Sequence, residues 1–215
     1  MKHRQLRGVA YIEFALVLLV LLPLLLGVIS CGINMHLQLQ TVQLARDAGH
    51  MFARGINFSL LGNQQVLAAI GQSLGLSTTA GSGSAVVILS TVRYIDSSAC
   101  SQAGLVDSHG NPSGCTNYQK WVFAERLVIG NNTMRSSNLG TPNSGIVTSS
   151  GAIAISDQCT DTSDLANISG FNPWNATNST GLPSGQIVYV SEASATGFHM
   201  PPFSSGTNTY ASNFF

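Results

Sequence analysis

The chain has 215 residues and a formal net charge of zero, from nine basic and nine acidic residues. Only 8% of its residues are charged, against about 25% in ordinary soluble domains, and no basic patch indicates a nucleic-acid partner. The length suits one membrane segment followed by one domain.

The amino end has the charge pattern of a membrane anchor. Three of the first seven residues are basic, and residues 9–30 that follow are apolar apart from Glu13. A basic end before an apolar run predicts a cytoplasmic N-terminus and a translocated C-terminal part. As a helix with a rise of about 1.5 Å per residue, the run spans about 33 Å, enough to cross a hydrocarbon core of about 30 Å.

Three interpretations account for this apolar run. A cleaved secretory signal fits the basic start, but the apolar core of such signals has only about 7–15 residues. A lipoprotein signal fits the loose match of "VISC" to a lipobox that ends at Cys31, although the chain continues as a helical pattern and not as a polar tether. The third interpretation is a processing site at Gly8, since Glu13 stands at the fifth place after that glycine.

The third pattern resembles the processing site of type IV prepilins, particularly the Flp/Tad branch, where Gly, four residues and Glu precede an aromatic residue such as Phe14. The resemblance implies that a prepilin peptidase cuts between Gly8 and Val9. The new ammonium on Val9 lies one helical turn from Glu13. Because each charge alone in lipid costs at least about 2.5–3.5 kcal/mol, pairing with such an ammonium, in pilins that of a neighbouring subunit, is favourable. The alternative is that Glu13 only extends to the headgroups.

Residues 7–55 as a whole resemble the TadE/TadG-like family of tight-adherence (Tad/Flp-type) pilus assembly proteins, which are pseudopilins or minor pilins. The residues that carry this resemblance are Gly8, Glu13, Phe14, Pro23, Gly27 and Gly32. "GQIVYVSEASATGF" near the C-terminus resembles the final strand of that family more weakly. The resemblance implies a structural protein without enzymatic activity, cofactor or metal.

The resemblance also implies a location and partners. The protein is expected in the inner membrane as a single-pass protein, with its C-terminal domain periplasmic or extracellular and a possible association with the pilus. Its expected partners are the membrane, a prepilin peptidase, other pilins or pseudopilins, and the Tad assembly machinery.

Beyond the membrane the pattern predicts an α+β fold with an antiparallel sheet and long polar loops. Apolar residues spaced near 3.6 continue the first helix through residues 33–54, and Gly55 is a C-terminal cap. "NQQVLAAIGQSLGL" predicts a second helix. Predicted strands are "SAVVILSTVRYI", "YQKWVFAERLVIG", "GAIAIS" and "GQIVYVSEA", and predicted loops cover residues 97–117, 131–151, 157–185 and 199–213.

These elements predict four parts of the chain. They are a basic leader at residues 1–8, a transmembrane helix at 9–30, a helical extension outside the cytoplasm at 31–55, and an α+β domain at 56–215.

The four cysteines lie where disulfides are permitted if the C-terminal part is translocated. Cys100 and Cys115 bracket a loop of turn-forming residues between two strands, and their pairing is the preferred disulfide. A disulfide that closes a loop of this size stabilises the folded protein by about 3 kcal/mol, because it restricts the unfolded chain. Cys159 is the expected odd residue, although it could pair with either. The spacing contains no C-x₂-C or paired histidines, so a zinc site is not predicted.

Two further motifs suggest other chemistry. "GQSLG" fits G-x-S-x-G with Ser73 as nucleophile, but it lies within a helical pattern and not between a strand and a helix. "DQCTDTSD" carries Asp157, Asp161 and Asp164, whose spacing is not that of an EF-hand and favours a solvated loop over calcium. The pseudopilin hypothesis is the first of three. The second is an uncleaved single-pass or lipid-anchored binding protein, and the third is a small serine hydrolase.

Overall fold

A computed structural model describes residues 3–167 and 186–215, with side chains from residue 11 onward. Within these ranges the chain forms four α-helices and six strands. The helices are α1 (His3–Ala53), α2 (Leu61–Ile70), α3 (Ser97–Gln102) and α4 (Ile155–Thr160). The strands are β1 (Ala85–Tyr94), β2 (Trp121–Gly130), β3 (Ile187–Ala195), β4 (His199–Met200), β5 (Ser204–Ser205) and β6 (Thr209–Phe214).

Four of the strands form one antiparallel sheet in the order β2-β1-β3-β6. β1 lies inside the sheet, and its first eight residues are buried. Its sequence is a run of aliphatic and β-branched residues, which suits a strand that is covered on both faces. β4 and β5 form a separate hairpin. A long apolar helix followed by an antiparallel sheet confirms the predicted α+β class.

The second half of α1 packs on the sheet. Leu44, Ala45, Ala48 and Phe52 face inward at spacings of three and four residues, and all four are buried. They share one core with residues of α2, of the segment after it and of the sheet: Leu67, Leu74, Leu76, Val87, Leu89, Ala193, Ala195 and Ala211. Helix α1 thus continues through the residues whose apolar spacing predicts it. The helix ends at Ala53, and Gly55 follows with a left-handed φ of 81°.

The second predicted helix is present but shorter than its sequence pattern. α2 ends at Ile70, and Gln72–Leu74 form a 3-10 turn instead of a further α-helical turn. Gly71 sits at this break, where a Cβ atom would lie 2.8 Å from the Cβ of Leu76. The chain therefore turns back toward the core at this glycine.

The strand predicted at "GAIAIS" is wrong. Ala152 and Ile153 make only isolated bridges, to Glu125 and Val147 respectively, and α4 starts two residues later at Ile155. Gly151 before them has φ 86°, which breaks an extended run. The alternation of glycine, alanine and isoleucine is too short to extend the sheet beyond β2.

The loop predicted at 199–213 is also wrong, because it contains β4, β5 and most of β6. β6 pairs with β3 from Thr209 opposite Ala195 to Phe214 opposite Val190. The sequence "TYASNF" has small and polar residues that gave no strand pattern. Its place beside β3, under α1, supplies the pairing and burial that local propensity lacks.

The loop predicted at 97–117 contains α3, whose N-cap is Asp96. The Asp96 carboxylate accepts a hydrogen bond of 2.8 Å from the backbone N–H of Ala99. The predicted loop at 157–185 lies only partly within the described residues, where α4 and a 3-10 turn at Thr162–Asp164 begin it.

Candidate functional site on the amino-terminal helix

The first half of α1 is an apolar surface that nothing in the described chain covers. Between Tyr11 and Ile29 every residue is exposed except Leu18 and Gly27, which are half-buried. In the described part of the chain, α1 is the one helix long and apolar enough to cross a membrane, by length and composition. An apolar area of this size requires lipid or another apolar helix around it.

The predicted processing site lies on the same helix. The backbone at Gly8 and Val9 is helical and continuous with the residues that follow. Glu13 is four positions after Val9. A rise of about 1.5 Å per residue therefore places the two residues about 6 Å apart along the helix axis.

Glu13 and Phe14 both project from the uncovered surface, and Phe14 is 63% exposed. Among the described residues Glu13 has no ion pair and no hydrogen bond; the one ion pair found there joins Arg126 to Glu192. A carboxylate within this apolar segment therefore lacks a partner among the described residues of its own chain.

Three further residues that carry the family resemblance have structural places in α1. Pro23 lies inside the helix without ending it, as is tolerated in membrane helices. Gly27 approaches Phe203, where a Cβ atom on the glycine would be 3.6 Å from Cδ1 of the ring. A Cβ atom added at Gly32 would have no neighbour within 4 Å, so this glycine lies on an open side of the helix.

α1 is fixed to the domain by polar contacts as well as by its apolar face. Thr41 and Thr209 hydroxyls lie 2.7 Å apart, and the Gln38 side-chain amide donates to the carbonyl of Tyr210 at 2.9 Å. The Asn34 amide reaches the hairpin, where it accepts from the N–H of Phe198 at 2.9 Å. These contacts attach the second half of α1 to β6 and to the β4–β5 hairpin, so the orientation of the sheet relative to α1 is fixed.

Glu192, in the weakly matching C-terminal segment, is buried at the centre of the sheet. Its carboxylate accepts hydrogen bonds from the Ser137 hydroxyl, from the N–H of Asn138 at 2.9 Å and from the Tyr210 hydroxyl at 2.7 Å. The guanidinium of Arg126 is 4.0 Å away. This carboxylate therefore ties a loop and the edge strand β6 to β3.

Burial also changes the acidity of the groups around Glu192. Desolvation lowers the pKa of Arg126 to about 10, although the neighbouring Glu192 opposes that shift. Desolvation, together with the hydrogen bond to Glu192, raises the pKa of Tyr210 to about 12. The Arg126 ion pair could not be found by sequence spacing, because its partners meet only through the sheet register.

The three aspartates weighed for calcium do not behave alike. Asp161 is half-buried and accepts hydrogen bonds from the Ser163 N–H and hydroxyl at 2.8 and 2.7 Å. Asp164 is fully buried, and neither of its carboxylate oxygens has a hydrogen-bond partner. Desolvation, with the charges of Asp161 and Asp157, raises the pKa of Asp164 to about 8, so the acid is mostly protonated at neutral pH. A protonated acid is a poor calcium ligand.

Three cysteines come together where α3 and α4 meet. Cys100 lies in α3, Cys159 lies in α4, and Cys115 is the third. Cys100 and Cys115 form a disulfide with their Cα atoms 5.8 Å apart, and Cys159 is a buried free thiol. The three sulfur atoms lie within 4.8 Å of one another. With two of them bonded together, one thiol remains, and burial raises its pKa. Cys31 is exposed on α1 just beyond the apolar run.

Ser73 lies in the 3-10 turn Gln72–Leu74 and is exposed. The segment before it is α2 and not a strand, so the turn lacks the strand–serine–helix context of a nucleophile elbow. A small surface cavity of about 150 Å³ borders it, and Asp47 is the acidic residue there. No histidine lines the described wall of that cavity.

The comparisons with known proteins bear on α1 alone. The family model described as TadE-like protein matches residues 8–50, which include the processing motif, the apolar run and most of the half that packs on the sheet. No curated protein and no solved structure matches the chain. The resemblance to the TadE-like family is thus supported over about a fifth of the chain. The matched residues do not include the β-sheet.

Proposed function

We propose that this protein is a pseudopilin or minor pilin of a Tad/Flp-type pilus system. A single observation carries the proposal. An uncovered apolar helix with Gly8 and an unpartnered Glu13 near its start is continuous with a helix that packs on a folded domain. A plain anchor needs the apolar surface, but it does not need a carboxylate placed five residues after a glycine.

In this proposal a prepilin peptidase cuts between Gly8 and Val9 at the cytoplasmic side of the inner membrane. The helix stays in the bilayer, and its domain lies in the periplasm or outside the cell. The carboxylate of Glu13 pairs with the ammonium at Val9 of a neighbouring subunit. This pairing lowers the cost of both charges in lipid and sets the axial register between two helices.

Assembly then proceeds through the uncovered half of α1. Its leucine and valine side chains pack against other pilin helices as the subunit leaves lipid, and the rest of α1 holds the domain in a fixed orientation. The protein does no chemistry of its own in this role. Its partners are other pilins, the peptidase and the assembly machinery, and it contributes to surface attachment as a structural component.

The substitution Glu13→Ala tests the pairing. Insertion should be unchanged or improved, because removal of a charge from the apolar run lowers the cost of transfer into lipid. Recovery in pilus or pilin-containing complexes should fall at least about tenfold, since a loss of 1.4 kcal/mol is already tenfold in an equilibrium. The measurements are the membrane-bound fraction and the amount that copurifies with other pilins.

Two variants sharpen this test. Glu13→Gln keeps the shape of the side chain and removes its charge, so it should fail like Glu13→Ala. Asp47→Ala removes an exposed carboxylate from the other half of the same helix, so it is the matched control and should assemble almost normally. If both Glu13 variants assemble as the parent does, the carboxylate only reaches the headgroups, and the protein is better described as an uncleaved, membrane-anchored binding protein.

A further inference from the structure

The β4–β5 hairpin lies against α1 at the point where the apolar run ends. Its tip is the sequence "MPPF", residues 200–203, which connects β4 to β5. The Phe203 ring approaches α1 at Gly27, at the 3.6 Å separation from a Cβ given above. The apolar run ends at Ser30, so Gly27 lies about 4.5 Å further toward the membrane interior at 1.5 Å per residue.

Hydrogen bonds fix the hairpin in this place. The Asn34 side-chain amide donates to the hydroxyl of Ser204 at 3.0 Å and to the carbonyl of Phe198 at 3.3 Å. It also accepts from the Phe198 N–H, so both ends of the hairpin are held by one side chain of α1. Ser30, one turn before Asn34, is buried although it lies at the end of an otherwise exposed apolar run.

The tip is chemically suited to the border between lipid and water. Pro201, Pro202 and Phe203 are exposed, and no Asp, Glu, Lys or Arg occurs from residue 193 to residue 215. The two prolines have no N–H to leave unsatisfied, and the N–H of Phe203 donates to the carbonyl of Met200 at 2.8 Å. The tip therefore meets the requirement that backbone donors near a bilayer have partners.

From this placement we infer that the hairpin tip, residues 200–203, is a second membrane contact that inserts into the outer edge of the bilayer beside α1. The partner is lipid at the boundary between headgroups and acyl chains. The exposed ring of Phe203 gains at that level because its apolar surface is removed from water. The contact would hold the domain close to the membrane and limit its rotation about α1. The inference depends on the proposed function only in that α1 spans the membrane.

A tryptophan placed at the tip reports its surroundings directly. The full chain carrying Phe203→Trp is reconstituted in phosphatidylcholine vesicles, and brominated phosphatidylcholine is used as the quencher. The measured quantity is the emission that the new tryptophan adds to that of the parent chain. Quenching should be strongest with bromine near the headgroup end of the acyl chain, because the tip lies at the edge of the hydrocarbon and not at its centre.

Two matched variants set the scale. Leu19→Trp lies in the middle of the apolar run and should be quenched most by deeply placed bromine. Tyr118→Trp is the aqueous control, since Tyr118 has the same 37% exposure as Phe203 but lies in the domain, away from α1. The added emission at position 203 should show quenching comparable with that at position 19, and the emission at position 118 should show none.

The outcomes separate the two claims. Quenching at position 19 without quenching at position 203 overturns the hairpin contact and leaves the membrane helix in place. Absence of quenching at both positions overturns the spanning helix as well, and with it the proposed function. Quenching at position 203 that is absent at high protein density and appears only when the chain is diluted among more vesicles assigns the tip to a contact with a second copy, which also contradicts the inference.

Discussion

At the scale of single residues, two buried carboxylates behave in opposite ways. Glu192 has three hydrogen-bond donors and an arginine nearby, so its burial is compensated within the sheet. Asp164 has no hydrogen bond to either oxygen, and its raised pKa means that the folded chain holds it as the neutral acid at low and neutral pH. Glu192 therefore affects stability through its hydrogen bonds, and Asp164 affects it through the uptake of a proton.

The stability of the parent chain should fall as the pH rises from about 4 to about 8 because of Asp164. Its folded pKa of about 8 lies above the ordinary value of 3.8, so the folded state binds the proton more tightly than the unfolded state. The stabilisation is fully present below the unfolded pKa and is lost as the pH rises through the folded pKa. One such proton changes the free energy of unfolding by up to about 1.4 kcal/mol per pH unit.

Asp164→Asn isolates this contribution, because the amide has a similar shape and no charge. Compared with the parent, the variant should gain stability steadily across that pH window and differ little at pH 4. The measurement is urea unfolding of the full chain in detergent micelles at several pH values. A difference between the two chains that does not vary with pH would show that Asp164 is not the group responsible.

At the scale of elements, the sequence predicted well where local pattern and burial agree. β1 and β2 are rich in β-branched residues, and the outer half of α1 keeps its apolar spacing, so all three were predicted close to their observed positions. β6 was missed because "TYASNF" gains its strand character only from pairing with β3 and cover by α1. "GAIAIS" failed in the opposite way, since its local pattern found no full strand to pair with.

The candidate site divides in the same manner. Gly8 and Glu13 are close along one helix, so their motif could be recognised in a single sequence. The contact between Arg126 and Glu192 joins residues that are 66 positions apart in the sequence. The contact between Asn34 and Phe198 at the hairpin joins residues that are 164 positions apart. No local pattern encodes such pairs, because chain topology brings them together.

The helix–sheet interface has its own test. Ala48 is fully buried where α1 meets the sheet, and Ala48→Leu should lower the free energy of unfolding by about 1–3 kcal/mol, because extra methylenes overpack a filled core. Gln43→Leu introduces the same side chain at an exposed position of the same helix and is the control. Thermal unfolding in micelles compares the two, and an equal effect of both would contradict close packing at Ala48.

At the scale of the whole molecule, charge and apolar surface are distributed along one axis. Basic residues stand before the membrane run, and the remaining chain after a cut at Gly8 has six basic and nine acidic residues, a net charge of 6 − 9 = −3. One continuous helix joins the uncovered apolar half to the sheet. The orientation of the apolar half therefore determines the orientation of the domain. This is the arrangement that the proposed role as a helix-packed fibre subunit requires.

The mass of the mature chain tests the central claim most directly. The protein is expressed in membranes with and without an active prepilin peptidase, purified, and its amino terminus is determined by mass spectrometry. The account predicts a chain that begins at Val9 when the peptidase is active and an intact leader when it is absent. An intact Met1 in the presence of active peptidase, or a chain that begins with a lipid-modified Cys31, would contradict it.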